Sequence, residues 1–305
     1  MSAQLALVFP GQGSQRHGML GALPSSDALG RLLDAAEALS GLELRAVATE
    51  GTPEQLADTR AAQPLLYLAD WAWGSEALAA GIKPRYLAGH SLGELAALAI
   101  AGVFSPEAGL ELVVERSRLM AACAAETPGG MAAVLGMDGK EIAAALGEMS
   151  GVWLANDNAA GQVVISGTHE GLERATSALS EAGARRIVPL NVAGPYHSPL
   201  MTPAGDAFAS LLEKAAFSDA RIPVVSNTAP TATTDAAALR ERLSSQITSP
   251  VRWTETMTFL RAAGVDTLVE AGPGAVLKGL ARRVEGLTAY AVEDAGVDPI
   301  VEAVS

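Results

Sequence analysis

The first apolar run, Leu5–Phe9, has five consecutive hydrophobic residues with no polar interruption, the pattern of a strand buried on both faces. It runs into Pro10-Gly11-Gln12-Gly13-Ser14, a glycine-rich turn that exposes backbone N–H groups. Helical spacing follows over 31–39 and 63–80, and 84–88 reads as a second short strand. Directly after it comes Gly89-His90-Ser91-Leu92-Gly93, then a helix over 94–101 that Gly102 stops. The order is strand, sharp turn, helix.

From 130 to 192 the pattern changes: strand 131–136, helix 140–149, strand 152–156, turn 158–161, strand 162–166, helix 170–182 and strand 186–192. This β-α-β-β-α-β order is the ferredoxin-like arrangement, whose two ends lie close together as an insertion requires. Helix 203–215, strand 224–226, helices 236–246 and 254–263, and strand 267–270 follow. That last strand enters another glycine turn, Ala271-Gly272-Pro273-Gly274, and a helix. The expected fold class is α/β. A large α/β-hydrolase-like parallel-sheet domain is formed by 1–128 and 195–305, with a small ferredoxin-like (βαββαβ) subdomain inserted at 129–194.

Composition narrows the function. The 305 residues include 34 acidic and 21 basic side chains, a formal charge of −13, which excludes a nonspecific nucleic-acid binder. The single cysteine, Cys123, rules out an intramolecular disulfide and a cysteine-based zinc cluster, and fits a reducing cytoplasm. The longest uncharged apolar run, 95–104, is half the roughly 20 residues that a bilayer needs. A soluble, monomeric, cytoplasmic protein is expected, with no membrane partner.

Gly-x-Ser-x-Gly between a strand and a helix is the pattern of a nucleophile elbow, which makes Ser91 the candidate nucleophile. Its base has to come from His17, His90, His169 or His197. His90 is the immediate neighbour, whose side chain diverges, and His169 falls in the small unit, so His197, in the loop re-entering the large domain, is the best placed. A solvated or structural histidine there is the competing reading.

Arg116 shares a helix face with Val113 and Met120, whereas Glu111, Glu115 and Arg118 form a solvated face. An inward guanidinium needs an anion, either a structural carboxylate or a ligand carboxylate. An oxyanion hole needs two convergent N–H donors, and the elbow supplies that of Leu92. The second is available from Gln12, because its turn also follows a parallel strand. Phosphate binding by that turn is disfavoured, since neither the P-loop lysine nor a GxGxxG pattern is present.

Taken together, these motifs closely resemble the malonyl-CoA:acyl carrier protein transacylases of fatty-acid and polyketide synthesis. Besides the turn and the elbow, the resemblance rests on Glu115-Arg116-Ser117, Gln162-Val163-Val164-Ile165-Ser166-Gly167, Gly194-Pro195-Tyr196-His197-Ser198, the segment from Gln246 to Trp253, and Glu270-Ala271-Gly272-Pro273-Gly274. It implies that Ser91 carries the acyl group, that His197 is the base oriented by the backbone carbonyl of Gln246, and that Arg116 holds the malonyl carboxylate. It implies an oxyanion hole of Gln12 and Leu92, and an acyl site bordered by Tyr196, Met120 and His90. Leu92 looks malonyl-like, whereas Tyr196 stands where phenylalanine is common and Ala275 where lysine is.

The implied substrates are malonyl-CoA and acyl carrier protein, with no metal or organic cofactor. Carrier proteins are acidic, as this chain is, so docking needs a local basic patch. Arg185, Arg186, Lys278, Arg282 and Arg283 are the candidates. A serine esterase or thioesterase is the competing enzyme reading, and a silent carrier-binding module the non-enzymatic one.

Overall fold

Five residues whose side chains are all buried make β1 (Leu5–Phe9) the central strand of the larger sheet in this computed structural model, which describes residues 3–304. The other strands are β2 (Tyr86–Gly89), β3 (Gly130–Leu135), β4 (Val152–Ala159), β5 (Gln162–Gly167), β6 (Arg186–Pro189), β7 (Val224–Val225), β8 (Ala232–Thr233), β9 (Val251–Arg252), β10 (Thr267–Glu270) and β11 (Thr288–Ala291). The larger sheet runs β11-β10-β1-β2-β7-β8 and is parallel except for the antiparallel edge pair β7–β8. The sequence pattern had not predicted β8 or β11, which are four residues long or shorter and carry no periodic signal.

Register places the chemistry. Phe9 of β1 lies opposite Gly89 of β2, so the Pro10–Ser14 turn and the Ser91 turn leave the sheet side by side at its carboxyl edge. Their backbones nearly touch. A Cβ on Gly93 would lie 2.2 Å from the Phe9 carbonyl oxygen and 2.6 Å from that of Pro10. Behind them pack helices Thr59–Ala79, Gly93–Ala101 and Pro106–Glu126, the second buried along its whole length. Apart from Glu94 it is hydrophobic all round, because it has neighbours on every side.

The second sheet runs β6-β3-β5-β4-β9, with antiparallel pairing among its first four strands. Helices Gly139–Leu146 and His169–Glu181 cover one face, closing a separate core of residues such as Val134, Ile142, Ile165 and Leu179. On the other face Met131, Ala155 and Val164 join the main core. The segment carrying β3 to β6 begins and ends at one place, since a Cβ on Gly129 would sit 3.1 Å from Pro195.

Two expectations need correction. Strand 186–192 stops at Pro189: Leu190 still donates to the Met131 carbonyl of β3 (2.9 Å), but Val192 then donates back to Leu190 (3.0 Å) in a tight turn that takes the chain off the ladder. Strand 152–156 continues through the expected turn to Ala159 with two register shifts, which carry Asn156 and Asn158 into the cleft between the sheets. The two-residue β9 was invisible in the sequence, yet it pairs with Asn156 and Asp157 of β4 and stitches the sheets together. No helix among the described residues is long and apolar enough to cross a membrane.

The close approach at Gly93 leaves no space for a methyl group. Gly93→Ala is expected to destabilise the fold by about 3 kcal/mol or more. Gly21→Ala, at an open position with no atom within 4 Å of the new Cβ, should stay within about 0.5 kcal/mol. Urea unfolding of the two variants checks the contrast.

Candidate active site

Ser91 (φ 51°) and His197 (φ 56°) are the non-glycine residues with left-handed backbone among those described. Such conformations cost about 1–3 kcal/mol each and persist only where the surroundings enforce them. At Ser91 the enforcement is visible. A Cβ on Gly89 would fall 1.9 Å from the Gly93 carbonyl carbon, so only glycine permits the bend. Asn227, just beyond β7, clamps it by accepting from the Ser91 amide (2.7 Å) and donating to the Gly89 carbonyl (2.6 Å).

The Ser91 hydroxyl lies 2.7 Å from His197 Nε2. His197 Nδ1 faces two carbonyl oxygens, of Gln246 at 3.0 Å and Ser249 at 3.2 Å. Carbonyls only accept, so Nδ1 holds the ring proton and Nε2 is left bare toward the serine. No carboxylate touches the ring among the described residues. The expected helix 236–246 ends instead at Ser244, and Gln246 begins a short 3-10 turn, Gln246–Thr248, before Pro250. That early stop turns the Gln246 carbonyl out of a helical ladder and onto the histidine. Burial first, and the Arg116 charge second, lower the His197 pKa to about 3, so the ring is neutral near pH 7.

Arg116 is fully buried, yet its partners are neutral. Nη1 donates to Gln63 Oε1 (2.7 Å), and Nη2 to Gln246 Oε1 (2.8 Å) and, more weakly, to Ser91 Oγ (3.3 Å). The structural ion pair that the sequence left open is therefore not formed. Burial lowers the guanidinium to about 10, against the opposing pull of Glu94, and it stays charged at neutral pH. A buried cation without a contacting anion costs several kcal/mol, which is the signature of a site that awaits an anion.

Ser91, His197 and Arg116 border a cavity of about 90 Å³ together with Gln12, Leu92, His90, Met120 and Tyr196, so the candidate residues named from sequence converge on one space. The Gln12 and Leu92 amides have no acceptor among the described residues. Tyr196 turns its hydroxyl away to Thr59 Oγ1 (2.9 Å), which also takes a hydrogen bond from Gln12 Nε2 (3.3 Å). The Met120 sulfur accepts from Gln63 Nε2 at 3.4 Å. His90 bonds to Asn158 Oδ1 (2.8 Å) and stacks edge-on against Trp253, linking the elbow to the second sheet. A second cavity of about 420 Å³ shares Gln12, His90, Asn156, Leu190 and Val192 with the first and leads outward.

His169 is exposed at a helix start and His17 reaches the Gly51 carbonyl, both away from this cavity. The sequence reading missed Gln63, Thr59, Glu94 and Asn227. Gln63 and Glu94 carried one usable signal, a polar residue at a helix position otherwise surrounded by apolar ones. Arg185, Arg186, Arg282 and Arg283 are exposed, while Lys278 pairs with Asp294 at 3.2 Å.

A family model described as the acyl transferase domain matches residues 6–297. The chain belongs to the acyl transferase domain family. Among curated members, it is 42% identical over 297 residues to the malonyl CoA-acyl carrier protein transacylase of Salmonella typhimurium, covering 95% of this chain and 96% of that protein. It is 40% identical to the protein of the same name from Bacillus subtilis, covering 96% and 94%. Among solved acyl transferases, a malonyl-transacylase in complex with a type II PKS acyl-carrier protein superposes with a TM-score of 0.91 at 39% identity, covering 99% of each chain.

The lowered His197 predicts a pH dependence. An ordinary histidine base loses activity as it protonates near pH 6.5. With a pKa of about 3, the neutral form persists through mildly acidic pH. The kcat/KM for acylation, which reports the free enzyme, should be flat from about pH 8 down to about pH 5. An inflection near 6.5 contradicts the assignment.

Proposed function

We propose that this chain transfers malonyl groups from malonyl-CoA to the phosphopantetheine thiol of an acyl carrier protein through a malonyl-Ser91 intermediate. The observation that carries the reading is the pairing of a base-activated serine with a buried arginine that has no contacting carboxylate, 3.3 Å from the serine oxygen. The relatives' names point the same way, and their similarity runs nearly end to end.

The Ser91 proton passes to His197 Nε2 as Oγ bonds to the thioester carbonyl carbon. The resulting oxyanion lies against the Gln12 and Leu92 amides, whose donors are spare. The carbon–sulfur bond then breaks, and the leaving CoA sulfur takes the proton from His197. In the second half the carrier thiol gives its proton to His197 and attacks malonyl-serine, and Oγ leaves and recovers the proton. Two transfers through one base give ping-pong kinetics. The steps run on side chains and backbone amides, with CoA as a substrate.

The malonyl carboxylate sits on Arg116, at the far end of the acyl group from the reacting carbon. Its charge also offsets the cation that lowers His197, so a diacid substrate strengthens the base as it binds. The outer cavity takes the pantetheine arm. Segment 129–194 acts as an inserted ferredoxin-like subdomain that roofs the cleft, a reading supported by its strand order and by the adjacency of Gly129 and Pro195. The carrier docks beside this cleft, near the exposed Arg282 and Arg283, and the working compartment is the cytoplasm.

Intact-mass measurement tests the reading. Mixing with malonyl-CoA should leave one stable malonyl adduct on Ser91 that a carrier thiol discharges; rapid hydrolysis, or no adduct, contradicts it. Arg116→Ala should lower malonyl transfer by about 3 kcal/mol, on the order of 100-fold, and spare acetyl transfer.

A further inference from the structure

Glu94 is 1% exposed and lies on the first turn of helix Gly93–Ala101, three residues after the nucleophile. An acidic residue there usually serves the helix dipole from the surface. This one is buried instead, and the acylation steps do not use it. Its Oε2 accepts from Gln246 Nε2 at 2.7 Å and from the Asn227 amide at 3.3 Å. The other end of the same glutamine amide, Oε1, accepts from Arg116 Nη2 at 2.8 Å.

The chain Glu94–Gln246–Arg116 therefore runs anion, amide, cation. The amide's N–H₂ end faces the negative charge and its oxygen faces the positive one, so both charges polarise it in the same sense. The network also fixes which way the amide is turned. Gln246 Nε2 donates as well to the Ser91 carbonyl at 2.9 Å, which anchors the side chain beneath the elbow. Among the described residues no carboxylate contacts the guanidinium directly, and Glu94 is the one that reaches it through a single intervening group. Burial raises the Glu94 pKa, while Gln246, Asn227 and the Arg116 charge pull it back down. Two N–H donors converge on Oε2, and hydrogen bonds donated to a carboxylate favour its charged form.

We propose that Glu94, acting through the Gln246 side chain, is the buried counter-charge that sets how tightly Arg116 grips the acyl carboxylate, and so tunes selectivity for diacid acyl groups. This rests on the reading that Arg116 receives that carboxylate. A carboxylate in direct contact would fill the cation's donors and shut out the substrate. No counter-charge at all would leave the cation deeply uncompensated and over-tight on the malonyl group. An anion held one amide away moderates the field and leaves the cation open on the side of Ser91. The two roles of Gln246 are separable, because its backbone carbonyl serves His197 and its side chain serves Arg116.

Glu94 is thus a positioning residue, and its effect belongs to the substrate carboxylate rather than to the serine chemistry. Glu94→Gln keeps an acceptor for Gln246 and Asn227 and removes the charge. It is expected to lower KM for malonyl-CoA by about threefold to tenfold. KM for acetyl-CoA, which has no carboxylate, should not move, and kcat should not rise for either substrate. The ratio of malonyl to acetyl kcat/KM therefore increases. Gln246→Met cuts the relay from its other side while keeping the backbone carbonyl, and should raise the same ratio even if kcat falls for both substrates. It also decides the matter if Glu94→Gln does not fold.

An unchanged or lowered ratio in a folded variant overturns the proposal, because a purely structural role would affect both substrates alike. Arg116→Ala in the same assay separates the two ideas. If it loses malonyl transfer selectively while Glu94→Gln leaves the ratio flat, only the counter-charge fails. If Arg116→Ala affects malonyl and acetyl equally, the underlying reading of Arg116 fails as well.

Discussion

A guanidinium held out of water beside a serine hydroxyl, with amide oxygens in place of a carboxylate, is the constraint on which the rest of this structure depends. Bringing Arg116 out of water costs several kcal/mol, and neutral partners recover only part of that. The fold supplies the remainder by over-determining the site: the core of helix Pro106–Glu126 fixes the arginine stem, Gln63 holds one side and Gln246 the other. Proteins retain such an arrangement where the missing anion arrives with the ligand. The charge then does two things, since it orients a carboxylate and it lowers the neighbouring base until that carboxylate is present.

The serine and histidine show the same economy. His197 is oriented by two carbonyls, with no aspartate behind it, so those two hydrogen bonds are the support for an imidazolium, and burial and the Arg116 charge outweigh them. The hydroxyl that this base serves is held 2.7 Å from Nε2. Both residues occupy left-handed backbone, and at Ser91 the strain is borne by packing that tolerates no extra carbon at Gly89 or Gly93. Catalytic geometry and core packing therefore share the same few contacts at the carboxyl edge of β1 and β2.

Much of this was legible in the sequence for physical reasons. A continuous apolar run before a glycine turn forces a buried strand with its loop at the sheet edge, which is how β1 and β2 and the convergence of Gln12 with Ser91 were read correctly. Arg116 was recognisable as inward because its helical neighbours at three and four positions are apolar. The second sheet's strand and helix order was also visible, because alternating strands and amphipathic helices each carry their own period. The sequence was silent where a two-residue strand such as β9 is made by tertiary pairing alone. It was silent again at Thr59 and Asn227, whose roles come from partners 137 and 136 positions away. Glu94 stands among apolar neighbours, a usable signal, but a glutamate in a first helical turn equally fits a surface dipole partner until its burial is seen.

The most direct test of the central claim is a crystal structure of the enzyme trapped with the malonyl group on Ser91. The account predicts the free carboxylate within hydrogen-bonding distance of the Arg116 guanidinium, and the ester carbonyl oxygen between the Gln12 and Leu92 amides. A carboxylate turned toward solvent, with Arg116 still bound only to Gln63, Gln246 and Ser91, would contradict it.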